Sequence, residues 1–179
     1  MLGLKNSEVR LVPYQQEWKR IFSEEQNRLS QLVTGFEPII EHIGSTAIPG
    51  ISAKPILDIM IGLDSLDKVD LFPWTQFNQY DYYLLPKVQI SGKKVIARFT
   101  DLQTQSKTIV AHVVVKNNTW WNVHLFFRDY LLDYSHERFA YEQLKQELAS
   151  KFPSNQTKYT TGKLDYVNHI LSKRGEDHA

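Results

Sequence analysis

The spacing of apolar residues divides the chain into helical and extended stretches. Between residues 15 and 33, Trp18, Ile21, Phe22, Leu29, Leu32 and Val33 recur at spacings of three and four, the repeat of an amphipathic helix with a polar outer face. Thr34, Gly35 and Pro38 end it, and Gly35 suits the left-handed cap position. Residues 38–43 and 56–61 are short, apolar and rich in isoleucine, which predicts neighbouring strands joined by a small-residue loop at 44–50. After Leu63, a segment that opens with helix-capping residues and an aromatic-rich run from Trp74 to Leu85 predict a short helix and then a strand around residues 80–84. Residues 94–100 alternate, with Val95, Ala97 and Phe99 on one face and Lys94, Ile96 and Arg98 on the other. A polar turn at 103–106 leads to a second strong strand at 107–115. The pair predicts a hairpin in which His112 shares a face with Val110 and Val114.

Beyond the hairpin the period becomes helical. Asn118 or Thr119 caps a helix that carries Trp121, Leu125, Arg128 and Leu132 on one stripe, and a basic residue in such a stripe requires a partner. Residues 135–151 predict another helix, capped by Ser135, with Lys145 on its solvated face and Pro153 beyond its end. A last helical element is expected over about residues 157–171, with 174–179 frayed, and the lead-in at 8–14 reads as extended. The pattern is that of an α/β (α+β) domain whose sheet is mixed, or antiparallel at the hairpin edge.

Composition narrows the chemistry. At 179 residues, 42% hydrophobic and 23% charged, the chain reads as one globular domain, 1–179, with a substantial core. No apolar run approaches the ~20 residues of a membrane helix, and the first ten residues lack the apolar region of a signal peptide, so a cytoplasmic location without membrane contact is expected. The absence of cysteine excludes disulfides, thiolate zinc sites and cysteine nucleophiles. With 21 Lys and Arg against 20 Asp and Glu, net charge offers no field for tight binding of nucleic acid, and an anionic ligand needs a local cluster of bases.

Such chemistry concentrates in residues 41–63, EHIGSTAIPGISAKPILDIMIGL. Gly44 and Ser45 offer a residue free to take positive φ, a hydroxyl and exposed amides, a combination suited to an oxyanion. Asp58 follows in an apolar strand, where a carboxylate is costly unless a metal, a cation or hydrogen-bond donors accompany it. The same residues also suit a tight turn followed by a buried, capping aspartate.

The run from Glu41 through Gly50, continued by residues 53–58, resembles the signature of the GrpB family of uncharacterised bacterial proteins. Residues 125–131 (LFFRDYL) and 141–145, with Tyr159 and Lys163, are similar to that family's pattern too, so the resemblance covers most of the chain. The family is in turn similar to the nucleotidyltransferase superfamily, which includes DNA polymerase beta and whose pattern is Gly-Ser, a spacer, then Asp-hydrophobic-Asp or Glu. The resemblance implies a nucleotidyltransferase-like mixed sheet with flanking helices, and transfer of a nucleoside monophosphate from a nucleoside triphosphate to a small acceptor. It implies Asp58 as the catalytic carboxylate, and Gly44, Ser45, Thr46, Lys54, Arg98, Arg128 and Lys163 as phosphate or nucleotide ligands. It also implies a divalent metal, Mg²⁺ or Mn²⁺. Related domains fused to dephospho-coenzyme A kinase imply a coenzyme A or nucleotide context. The alternatives are a non-catalytic nucleotide- or phosphate-binding module and a structural interaction domain.

One position departs from the superfamily pattern. Period-two geometry puts Met60 where the second metal-binding carboxylate belongs, and a thioether is a poor ligand for Mg²⁺. Only neighbouring strands can complete a metal site around Asp58: Glu41 or His42 on the first, and His112, the better candidate, on the hairpin. Asp58 with His112 would suit Mn²⁺ or Zn²⁺ better than Mg²⁺. Each histidine reads equally well as a core residue bonded to a backbone carbonyl. Arg128, beside Asp129, reads equally as half of a structural ion pair, and Trp120 and Trp121 more often pack in a core than stack on a base.

Overall fold

A computed structural model describes residues 2–5, 8–86 and 92–175. The strands are β1 (Ile39–Ile43), β2 (Leu57–Leu63), β3 (Tyr82–Leu84), β4 (Lys93–Asp101) and β5 (Ser106–Val115), in the spatial order β1-β2-β5-β4-β3. β2 and β5 run parallel, and every other neighbouring pair is antiparallel, so the sheet is mixed. The helices are α1 (Glu17–Leu32), α2 (Trp74–Gln79), α3 (Thr119–Asp133), α4 (Ser135–Lys151), α5 (Gln156–Thr161) and α6 (Leu164–Ser172). This is the expected α+β arrangement of a mixed sheet with flanking helices. The extended lead-in joins it through isolated bridges, Leu4 to Lys107 and Val12 to Ala53.

Register decides what each face carries. Asp58 lies opposite Ile43 and Val110, and Met60 opposite Glu41 and His112. Period two therefore collects Glu41, Ile43, Asp58, Met60, Val110 and His112 on one face, with Lys93 and Val95 of β4 beside them. The alternate residues Leu57, Ile59, Ile61, Ile109, Ala111 and Val113 form the main core with Trp18, Leu29 and Leu32 of α1 and Phe77 of α2. Both faces of β2 are covered, which is why its sequence is a nearly unbroken apolar run. On the Asp58 face, α3 closes against the sheet through Trp121, and Gly62 makes room for it: a Cβ there would stand 2.5 Å from the indole.

The helix ends depart from expectation in places. Asn118 caps α3 by accepting from the Trp121 amide at 2.8 Å. Ser135, expected to cap α4, is that helix's first residue and follows Tyr134, which makes no side-chain cap bond. The final element divides into α5 and α6, separated by Gly162 and Lys163. Fraying at the C-terminus falls, from residue 176 on, outside the described residues.

Lys145 is the largest correction on α4. It is completely buried, donates to the Ser52 carbonyl and lies 3.1 Å from Glu142. Burial pushes its ammonium pKa down to about 8, with Glu142 opposing the shift. Glu142 also accepts from the Ser52 amide (2.9 Å) and hydroxyl (2.7 Å). The side chain that period alone placed in solvent therefore fastens the loop after β1 to α4.

Candidate functional site

The strand that ends at Ile43 turns through Gly44, at φ 72° and ψ −174°, into a short 3-10 turn at Ser45–Ala47. A side chain is strained in that conformation, and a Cβ at Gly44 would fall 2.6 Å from an Asp58 carboxylate oxygen and 3.0 Å from the Asp58 Cβ. The Gly-Ser loop and the carboxylate are thus stacked directly on one another. Gly44→Ala is expected to destabilise the fold by about 1–3 kcal/mol through backbone strain and to displace Asp58, measurable as a lower melting temperature. A variant that melts like the wild type would show that the loop relaxes without strain.

Loop and carboxylate open into a cavity of about 350 Å³ that also receives Thr46, Lys54, His112 and Lys163. His112 approaches Asp58 with Nε2 3.7 Å from Oδ1, while its Nδ1 lies 3.2 Å from the Lys93 ammonium. An ammonium group can only donate, so Nδ1 accepts and Nε2 carries the proton that faces Asp58. Burial pushes the Asp58 carboxyl up, but the facing His112, then Lys54 and Lys163, outweigh it and hold the group below the usual carboxylate range. Its side chain keeps 40% of its surface accessible, so a ligand in the cavity can reach it.

Lys54 and Lys163 come from separate elements and converge on one ring. Their Nζ atoms lie 5.9 Å and 4.6 Å from the centre of Tyr159, which is itself buried. Burial lowers both ammonium pKa values, and the Asp58 charge opposes it in each case. On the loop side, the buried Tyr141 hydroxyl bonds to Ser45; burial pushes its pKa up to about 12 against that bond.

Several expected ligands stand elsewhere. Arg98 projects from the opposite face of the sheet, where it bonds Glu25 at 2.6 Å, so it does not reach the cavity. Arg128 donates to Glu41 (2.7 Å), to the His42 carbonyl (3.0 Å) and to Asp129 (2.7 Å), and it thereby ties α3 to β1. It is half of a structural ion pair rather than a free phosphate ligand, and the same bond occupies Glu41, which was expected to share a metal with Asp58. His42 belongs to the opposite face, stacked on Phe22 with Nε2 2.9 Å from the Thr46 hydroxyl; burial drives its pKa down to about 4. Met60 is fully buried among Ile43, Val114 and Trp121.

These positions do not fit a pair of divalent ions. Asp58 and His112 are brought together, but the place of the second carboxylate is apolar core. Among the described residues no group of three or more His, Cys, Asp or Glu side chains is arranged to hold a metal. Lys54, Lys163 and Lys93 instead place positive charge around Asp58.

The sequence model of the GrpB protein family matches residues 8–173. The chain belongs to the GrpB family. It is 43% identical over 173 residues to the glutamate-rich protein GrpB of Alkalihalophilus pseudofirmus, covering 97% of this chain and 99% of that one. The crystal structure of the conserved protein GrpB from Enterococcus faecalis superimposes with a TM-score of 0.80 at 30% identity, over 92% of this chain and 96% of the other. A fainter likeness is to Cid1, an RNA terminal uridylyl transferase, with a TM-score of 0.49 at 10% identity over 78% of this chain and 42% of that chain. Among the described residues no helix is long and apolar enough to cross a membrane.

Reading the sequence missed three lysines of this GrpB site. Lys5 and Lys107 line the cavity, and Lys93 holds His112. Lys93 has the same strand parity as Val95 and Ala97, so starting the strand one residue earlier would have placed it on the His112 face. Lys107, the second residue of β5, lies opposite Phe99, beside a register shift that parity does not foresee. Lys5 arrives through the lead-in's bridge to Lys107, which no local pattern announces.

Proposed function

We propose that the cavity binds the phosphates of a nucleotide-type ligand, the class that includes coenzyme A, and that the protein acts as a binding module rather than a two-metal transferase. The charge of the lining carries this reading: Lys5, Lys54, Lys107 and Lys163 surround Asp58, the one carboxylate among the described lining residues, in a chain whose net charge is only +1. This is the local cluster that an anionic ligand requires where overall charge supplies no field. A volume of about 350 Å³ sits at the lower end of small-molecule sites, suited to a phosphate chain and its adjoining sugar. Gly44 and Ser45 supply amides and a hydroxyl at the mouth, and Lys54 and Lys163 supply ammonium groups.

Transfer of a nucleoside monophosphate to a small acceptor is the second reading, favoured by the direct stacking of the Gly-Ser loop on Asp58. Against it stands the buried Met60, because in-line displacement through two ions needs carboxylates that bridge them at ~3.5–4 Å. Calorimetric titration with ATP tests the binding reading. Lys163→Met is expected to weaken binding about tenfold or more, the equivalent of one charge-assisted hydrogen bond. Equal affinities for wild type and variant, or no heat with ATP under any condition, would sink it.

A further inference from the structure

The disagreement between the donor set and a metal site has a consequence for Asp58. A carboxylate that anchors a metal faces open coordination positions and other anionic or neutral donors. Asp58 faces the Nε2–H of His112 at 3.7 Å, with the Lys93 ammonium behind that ring at 3.2 Å. Lys54 and Lys163 share its cavity, paired through the face of Tyr159. Glu41 is held by Arg128, and Met60 is sealed under α3. Among the described residues that line the cavity, every charged group other than Asp58 is a base. This is the environment of an internal counter-ion, one that offsets the charge of a cluster of cations until an anion arrives.

We propose that Asp58 is the counter-ion of Lys54, Lys163 and the Lys93–His112 pair, and that these side chains bind a polyphosphate ligand directly, without a divalent metal. The inference rests on the phosphate-binding reading and deepens it, because it names the form of the ligand: the free, metal-uncomplexed polyanion. A metal-dependent site and a metal-replacing site respond to Mg²⁺ with opposite signs. Mg²⁺ complexes a polyphosphate and removes much of the charge that the lysines would engage, so it competes with this site instead of completing it. The two roles of Asp58 also separate. A metal ligand cannot lose its charge without losing the ion, whereas a counter-ion stands near the incoming anion and repels it once it is bound.

The experiment is calorimetric titration of the full chain with inorganic tripolyphosphate, once with a chelator and once with excess Mg²⁺, for the wild type and for Asp58→Asn. The proposal expects wild-type binding at least as tight in chelator as in Mg²⁺, and Asp58→Asn binding at least as tightly as the wild type. Binding that appears only when Mg²⁺ or Mn²⁺ is added overturns the proposal and leaves the cavity a phosphate site. An Asp58→Asn variant that melts like the wild type but loses tripolyphosphate in chelator overturns the counter-ion role. No binding by the wild type in either arm, with ATP as well as tripolyphosphate, overturns the phosphate-binding reading and this proposal together. The wild-type comparison does not depend on any variant folding.

Discussion

Met60→Asp is expected to destabilise the protein by roughly 4 kcal/mol or more and to gain no Mg²⁺ binding. The superfamily pattern would make this the repairing substitution, because it restores the second carboxylate. The packing makes it the opposite. Met60 has no accessible surface, and it is packed among Ile43, Val114 and Trp121, of which only the Trp121 indole carries a polar side-chain group. The change removes apolar contacts and buries a charge, and either effect alone is a large share of the ~5–15 kcal/mol by which a domain is stable. Met60→Leu, which keeps volume and polarity, should cost less than about 1.5 kcal/mol. Chemical denaturation of the two variants with and without Mg²⁺ separates the cases. If Met60→Asp melted near the wild type and was stabilised by Mg²⁺, the residue would lie at an accessible metal position and the binding-module reading would fall.

The fate of Met60 shows what period and composition can decide. Alternation put Met60 with Asp58, and His112 with Val110 and Val114; the register joins the two sets on one face, with His112 directly opposite Met60. Alternation is silent on depth along the strand. Asp58, at the end where β1 turns into its loop, faces a cavity, while Met60, two residues on, faces the α3 helix. The same limit explains Arg98. Its face was legible, but both faces of this sheet are covered, so knowing that Arg98 and Val95 point apart does not say which of them meets the ligand. The Arg128 stripe correctly demanded a partner, and that partner, Glu41, lies 87 residues away, a distance only the tertiary fold closes. The helices α1 and α3 and the β4–β5 hairpin were legible because each satisfies its period within one segment. The bonds that hold the loop, above all those of Lys145 and Glu142 to Ser52, join distant segments and leave no local signature.

Glu25→Ala is expected to cost about 3 kcal/mol or more while leaving phosphate binding unchanged. Glu25 is an acidic residue inside α1 that is 3% exposed, and one carboxylate satisfies three donors. The Tyr82 hydroxyl reaches it at 2.7 Å, Arg98 at 2.6 Å, and Arg28 from the next turn of the helix. The Tyr82 ring is fully buried on the sheet's other face, in the edge strand β3, and its hydroxyl pKa is pushed well up, first by burial and then by the Glu25 charge. Removing the carboxylate strands that hydroxyl and leaves the Arg98 guanidinium, which is only partly exposed, without its counter-ion. Glu25→Gln should recover part of the loss, since an amide oxygen can still accept from Tyr82. The measurement pairs denaturation with tripolyphosphate titration, because it also tests where Arg98 acts. A Glu25→Ala protein that is destabilised but binds normally assigns Arg98 to the fold. A folded variant whose affinity falls with its stability would place Arg98 in contact with the ligand after all, by a route across the sheet that the present geometry does not provide.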